Sequence, residues 1–309
     1  MIEPCPVCGS PDAEVRGPYR GTHPIFTGLN RAHCLSCGMV FADPMPGEEL
    51  LEQYNASYFV SAHGDQPRDS LATAFFLGIA RLRITHIERY LNNRNITVST
   101  LLEFGPGPGF FARNFLEKHP ETTYRAIETD TSCYTSLKDI GVHLVDISSN
   151  SEDNIRVDLV VMSHVLEHIS NPSEFINNAT RSLRKGGALF IEVPCRDWEH
   201  KPIDEPHLLF FDKGPMRHLL RHLGFEDIQV SYHGQEIERL RSASVWRSKL
   251  MALRSKLIDM GLVAPFARMR PGMEALTEPL ERAAVKPFQA HCETQNPAWW
   301  LRAIARKAQ

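Results

Sequence analysis

The sequence predicts an α/β fold: a mostly parallel sheet carried on alternating strands and helices, preceded by a small cysteine-rich module. Three observations predict it. β-rich runs at residues 97–104, 124–127, 142–145, 157–162 and 188–194 alternate with stretches of helical periodicity, an order that implies right-handed crossovers and parallel strands. The first run ends directly in Gly105-Pro106-Gly107-Pro108-Gly109, and four of the seven cysteines fall in the first 37 residues. The 309 residues are 42% hydrophobic and 23% charged, ordinary for a globular chain with room for two domains. Wholesale disorder and collagen-like repeats are excluded. A net charge of −3 supplies no global field toward nucleic acid or anionic lipid. No run of about 18 apolar residues is present, and Met1–Cys5 lacks the basic and apolar regions of a signal peptide. The expectation is a cytoplasmic protein with reduced thiols.

The first element is Cys5-Pro6-Val7-Cys8-Gly9 with Cys34-Leu35-Ser36-Cys37-Gly38. Two C-x-x-C pairs separated by one loop bring four thiolates to a tetrahedral Zn²⁺, with the following glycines supplying the positive φ of each knuckle. Two disulfides are the alternative, and a reducing compartment argues against them. Four thiolates leave no open position for water, so Cys5, Cys8, Cys34 and Cys37 read as a structural site. Cys133, Cys195 and Cys292 read as free thiols. Gly38–Pro44 follows as a short strand stopped by proline. Residues 47–60 place apolar side chains at helical intervals, and Ser61–Ser70 reads as a loop. Residues 1–65 are therefore taken as the zinc module and its linker, and 66–309 as the main domain.

That domain opens on an amphipathic helix over 71–94, with Leu71, Phe75, Leu82, Ile87 and Leu91 on one stripe. The strand at 97–104, the glycine turn and a helix from Phe110 then form a strand–turn–helix unit that presents backbone N–H groups to a ligand. A loop of this kind serves nicotinamide, flavin or S-adenosylmethionine, or is simply a tight turn. The prolines at 106 and 108 do not fit the dinucleotide fingerprint, and no G-K-[ST] follows, which excludes a Walker A loop. Glu103, two residues before the first glycine, is placed to reach a ligand's charged amino group. The next strands end in Glu128 and Asp146, and the fourth runs into Ser163-His164-Val165-Leu166-Glu167-His168. A helix over 173–184, a turn at Lys185-Gly186-Gly187 and a fifth strand to Pro194 complete the parallel part. Ligands of such sheets bind at the carboxyl ends of the strands, where these residues stand.

Taken together, the glycine loop, Glu128, Asp146, the Ser163–His168 segment and Gly186-Gly187 resemble a class I S-adenosylmethionine-dependent methyltransferase, over roughly residues 70–234 and 293–309. The resemblance implies a Rossmann-like, mostly parallel sheet whose sixth strand is Gly224–Tyr232 and whose last, antiparallel strand is Trp299–Lys307. It also implies that Gly105, Gly107 and Gly109 pass beneath the methionine part of the cofactor. Glu128 would hold its ribose and Asp146 its adenine, with Glu103 and Ser163 completing the cofactor set. The two cysteine knuckles and the Tyr54–Phe59 stretch look like zinc-module methyltransferases that modify sugars and surface polysaccharides. The related sugar C-methyltransferases carry a further large domain that this chain lacks, which favours transfer to a hydroxyl of a sugar-containing small molecule or glycan.

A hydroxyl acceptor benefits from a base that takes its proton. His164, leaving the fourth strand, and His207, in the Asp204–Phe211 segment after the fifth, are the candidates. His168 reads as structural. An RNA methyltransferase is the alternative from another substrate class, but residues 1–60 set Arg16, Arg20 and Arg31 against seven acids, a poor match to phosphate. A sugar C-methyltransferase and a binding protein that keeps the fold without the reaction are further alternatives. Residues 235–292 read as a helical insertion before the last strand. From Gln235 to Gln309 thirteen Lys and Arg face seven acids, so the insertion suits a lid over the acceptor, a guide for an anionic substrate, or peripheral membrane contact.

Overall fold

An unbroken apolar run such as Leu159-Val160-Val161-Met162 suits a strand covered on both faces. All four side chains are fully buried there. The computed structural model describes residues 2–51, 53–55, 70–145, 156–241 and 293–308. Its main sheet contains β4 (Thr100–Phe104), β5 (Thr123–Ile127), β6 (His143–Leu144), β7 (Val157–Ser163), β8 (Leu183–Pro194), β10 (Phe225–Glu236), β11 (Glu293–Thr294) and β12 (Ala298–Lys307). Their order is β11-β10-β12-β8-β7-β4-β5-β6. The five strands from β6 to β8 are parallel, and β12 is antiparallel to both β8 and β10. This is the Rossmann-like arrangement expected, with its reversed last strand.

Helices cover both faces. α1 (Ser70–Asn92), α2 (Phe110–Lys118) and α3 (Tyr134–Ile140) pack Ile84, Ile87, Phe111, Phe115 and Leu137 against Leu101, Leu159, Val161 and Phe190. α4 (Pro172–Ala179) and α5 (Lys213–His222) place Ile176, Leu219 and Leu220 against Leu102, Phe104, Val160, Met162 and Ile191. Because successive strand side chains point to opposite faces, the alternation Leu101/Leu102 and Val160/Val161 divides cleanly between the two layers.

A second sheet is built by the cysteine-rich module. β1 (Ala13–Pro18), β2 (Asn30–Cys34) and β3 (Val40–Asp43) form an antiparallel meander. Its fourth strand, β9 (Leu209–Phe210), comes from the main domain, pairing Val40 with Phe210 and Phe41 with Leu209.

Some boundaries differ from the sequence reading. The helix expected over 173–184 ends at Ala179, where the Thr180 hydroxyl turns back to the Ile176 carbonyl. β8 begins at Leu183, whose buried side chain sits beside Val157 on β7. The sixth strand continues past Tyr232 to Glu236 because β12 offers partners as far as Ala298. Of the helix expected over 235–260, Ile237–Arg241 is helical (α6). The rest of the 235–292 insertion up to residue 292 lies outside the described residues, as do Asp146, Cys292 and residues 61–69 of the expected Ser61–Ser70 loop.

Candidate active site

The glycine loop extends β4 beyond its last paired residue: Gly105 N–H donates to the Ile127 carbonyl at 2.9 Å. Gly105 has φ +65°, and a Cβ there would stand 2.8 Å from Val165 Cγ2. Only glycine meets both demands without strain. Gly107, at φ +54°, has nothing within 4 Å of where a Cβ would be. Its N–H is bound by Glu128 Oε2 at 2.8 Å, while Glu128 Oε1 accepts from Asp130 N–H at 2.8 Å. Each oxygen retains a second lone pair for a ligand hydroxyl. Gly109 sits where a Cβ would press on Ile140 and Leu137, so it sets the close packing of α2 on α3.

Glu103 lies beneath this loop, 2% exposed, and accepts from the Tyr124 hydroxyl. Burial lifts its pKa to about 7, against the opposing pull of that hydrogen bond and of Arg83. Ser163 ends β7, and its hydroxyl is buried without a hydrogen-bond partner among the described residues. The register aligns Glu103 with Ala126 on β5 and Val161 on β7, and Ser163 with Glu192 on β8. The structure thus gathers Glu103, Gly105, Gly107, Gly109, Glu128 and Ser163 at one edge of the sheet.

A second group of polar residues starts at His164. Its backbone is left-handed, φ +58°, a conformation that costs a non-glycine residue about 1–3 kcal/mol. Its N–H donates to the Glu192 carbonyl at 2.8 Å. The ring faces two carboxylates, with Nδ1 3.2 Å from Glu167 and Nε2 3.4 Å from Glu192. Burial disfavours the charged ring, but these carboxylates outweigh it and raise the pKa. Both ring nitrogens of His164 are thus turned to carboxylates. His207 is arranged differently. Its Nδ1 donates to Asp197 Oδ2 at 2.6 Å, which turns Nε2 outward as an acceptor. Asp197 is itself buried and ionised: burial opposes the charge, but His207 and Lys201 hold its pKa below the usual range. The His168 ring meets the His207 ring edge-on at 5.0 Å, and burial lowers the His168 pKa to about 4. Glu167, 1% exposed, completes the group. Sequence reasoning named His164 and His207 but missed Asp197, because nothing in a ten-residue separation across a loop signals contact.

The four cysteine sulfurs also converge. All lie within 4.8 Å of one another, with Cys5 Sγ 3.6 Å from Cys37 and Cys8 Sγ 3.5 Å from Cys34. Cys5, Cys8, Cys34, Cys37, Cys133 and Cys195 are free thiols. Zn–S bonds of about 2.3 Å correspond to a tetrahedron with edges of about 3.8 Å, so the donor set fits the metal. Gly9 and Gly38, both at positive φ, close the knuckles by donating to the Cys5 and Cys34 carbonyls.

This module grips the loop that carries His207. The Tyr19 hydroxyl donates to the His207 carbonyl at 2.9 Å. Arg20 holds the buried Asp204 through its backbone N–H at 2.7 Å and its guanidinium. Glu205 accepts from Thr22 N–H at 2.7 Å and from the Tyr54 hydroxyl at 2.8 Å. None of these contacts was legible in the sequence, since each joins residues more than 150 positions apart.

Residues 78–230 match the family described as Methyltransferase domain. Among solved structures the chain is similar to a SAM-dependent methyltransferase from Thermotoga maritima, at 13% identity over 84% of this chain and 97% of that one, with a TM-score of 0.47. It is also similar to the plantazolicin methyltransferase BpumL bound to SAH (14% identity, 84% and 90% coverage, TM-score 0.44). A SAM-dependent methyltransferase from Archaeoglobus fulgidus is a third (14%, 72% and 94%, TM-score 0.42). No curated protein matches the chain. Residues 78–230 thus carry a methyltransferase domain, laid out on this sheet.

Proposed function

We propose that this enzyme methylates a hydroxyl of a sugar-containing acceptor, a small molecule or glycan. The observation that carries the reading is the polar, histidine-rich segment after β7, whose Val165 packs against Gly105 of the glycine loop. His164, Glu167 and His207 offer hydrogen-bonding groups where an apolar acceptor would call for apolar side chains. Gly105, Gly107 and Gly109 would cradle the cofactor, with Glu128 at its ribose, Glu103 at its amino group, and Asp146 and Ser163 completing the contacts. Bound there, the cofactor supplies an electrophilic methyl group. The acceptor hydroxyl loses its proton at the Glu167–His168–His207 cluster, oriented by Asp197, with His164 held beside it by Glu167 and Glu192. Cys5, Cys8, Cys34 and Cys37 hold one Zn²⁺, a closed site that stiffens a module with little core of its own.

The test is a transfer assay with isotopically labelled S-adenosylmethionine against nucleotide sugars, free glycans, RNA and peptides, read by product mass. Methyl incorporation at a sugar oxygen supports the proposal. Incorporation at a sugar carbon, or into RNA or peptide in preference to any sugar, overturns it.

A further inference from the structure

One cluster in the structure has a donor set that proton transfer by a single histidine does not require. Glu167, His168 and His207 each direct a ligand atom into a space where the three atoms lie within 4.8 Å of one another. They come from two segments: Glu167 and His168 from the turn of 3₁₀ helix after β7, and His207 from the loop before β9. Glu167 and His207 are buried, and the His168 side chain is 10% exposed. Two further features bear on what belongs there. Glu167 Oε2 is buried with no hydrogen-bond partner among the described residues, although buried polar atoms are nearly always paired. His207 Nδ1 is tied to Asp197 at 2.6 Å, the outer contact by which a carboxylate commonly fixes the tautomer and direction of a metal-ligating histidine.

We propose that Glu167, His168 and His207 bind a divalent transition-metal ion, distinct from the ion expected at the four cysteines. Two imidazoles and one carboxylate make an N/O set suited to Zn²⁺, Fe²⁺, Co²⁺ or Mn²⁺, with coordination positions left open. The cysteine site has none, so the two differ in kind. An open position on that ion is where an acceptor hydroxyl would coordinate. The ion's charge then lowers the hydroxyl's pKa: the O–H bond breaks, its electron pair stays on oxygen and the proton passes to solvent water. His207 acts here as ligand rather than base, Asp197 as its positioning residue, and His164, paired to Glu167 Oε1 at 3.2 Å, as a brace on the carboxylate ligand.

The role assigned to the ion rests on the hydroxyl-methylation reading, but its binding does not, and the two are tested separately. Mn²⁺ is titrated by calorimetry into the full-length protein carrying its zinc, with no acceptor present. The expected result is one Mn²⁺ per chain beyond the zinc, weakened at least tenfold by Glu167→Gln and by His207→Ala. Asp197→Asn, which removes no ligand, is expected to weaken it about 10–100-fold. Retained S-adenosylmethionine binding shows that each variant is folded, and Glu167→Gln keeps the side chain's size should His207→Ala fail to fold. Absence of a second ion at millimolar Mn²⁺, or equal affinity in Glu167→Gln, overturns the proposal and leaves methyl transfer to sugar standing. A metal-binding protein that methylates only RNA or peptide overturns the acceptor assignment instead.

Discussion

Two residues at the glycine edge of the sheet make opposite demands on their surroundings. At Gly105 backbone and space agree: positive φ and a Val165 methyl 2.8 Å from any Cβ both exclude a side chain. Gly105→Ala must therefore move the loop or the Val165 turn, and donor affinity is expected to fall at least tenfold by calorimetry. An unchanged affinity would show that the loop does not touch the donor. Glu103 makes its demand through charge. Burial raises its pKa to about 7, so the folded protein binds a proton that the unfolded chain releases near the ordinary carboxylate value. Its contribution to stability is complete below about 4.5 and is lost as pH rises through 7. A donor bearing an ammonium group favours the ionised form. Donor affinity should then rise about tenfold between pH 6 and pH 8, and Glu103→Gln should flatten that rise. A slope that persists in Glu103→Gln would assign the titration to another group.

On the scale of elements, the decisive contact is β3 with β9. A two-residue strand cannot hold itself, and β9 exists because the four-cysteine module offers it an edge, with Tyr19, Arg20, Thr22 and Tyr54 fastening the residues just before it. The module thereby holds the loop that carries His207. Stripping zinc with a chelator, or Cys34→Ser, is expected to lower kcat about 10²-fold or more, since misplacement of catalytic groups by about 1 Å costs that much. Donor affinity should change little, because the glycine edge makes no contact with the module among those described. Arg20→Ala, which releases Asp204 without touching the metal, should reproduce the loss in part. Equal loss of donor binding and turnover would mean that zinc supports the fold as a whole.

The molecule as a whole is joined by a buried charge group. Arg302 on β12 and Glu192 on β8 stand opposite each other, both fully buried, with Nε 2.6 Å from Oε2. Arg83 of α1 donates to the other Glu192 oxygen at 2.7 Å. Burial alone would raise the Glu192 pKa, but Arg83 and Arg302 hold it well below the carboxylate range. The sign follows: this group stabilises the fold above the ordinary carboxylate pKa and loses that contribution as pH falls toward its lowered value. Arg302→Met leaves Glu192 short of a partner and is expected to cost about 3–5 kcal/mol, read from urea midpoints. Adding Glu192→Gln should recover part of it. A single variant as stable as wild type would show that Arg83 and His164 suffice for Glu192.

Much of this protein was determined locally and could be read from the chain alone. The buried strands announce themselves as runs of Val, Leu and Ile, the loop after β4 by three glycines at alternate positions, and the four-cysteine cluster by C-x-x-C spacing. Each depends on neighbours in sequence, where period and backbone freedom act directly. The partners of His207 were decided only by the tertiary structure. Asp197, Glu167 and His168 reach it across loops, Tyr19 supports it from 188 positions away, and Arg302 meets Glu192 across 110. Such pairs carry no periodic signal, because a charged or polar side chain is placed by whichever strand its own strand adjoins. That choice is made by the packing of the whole sheet.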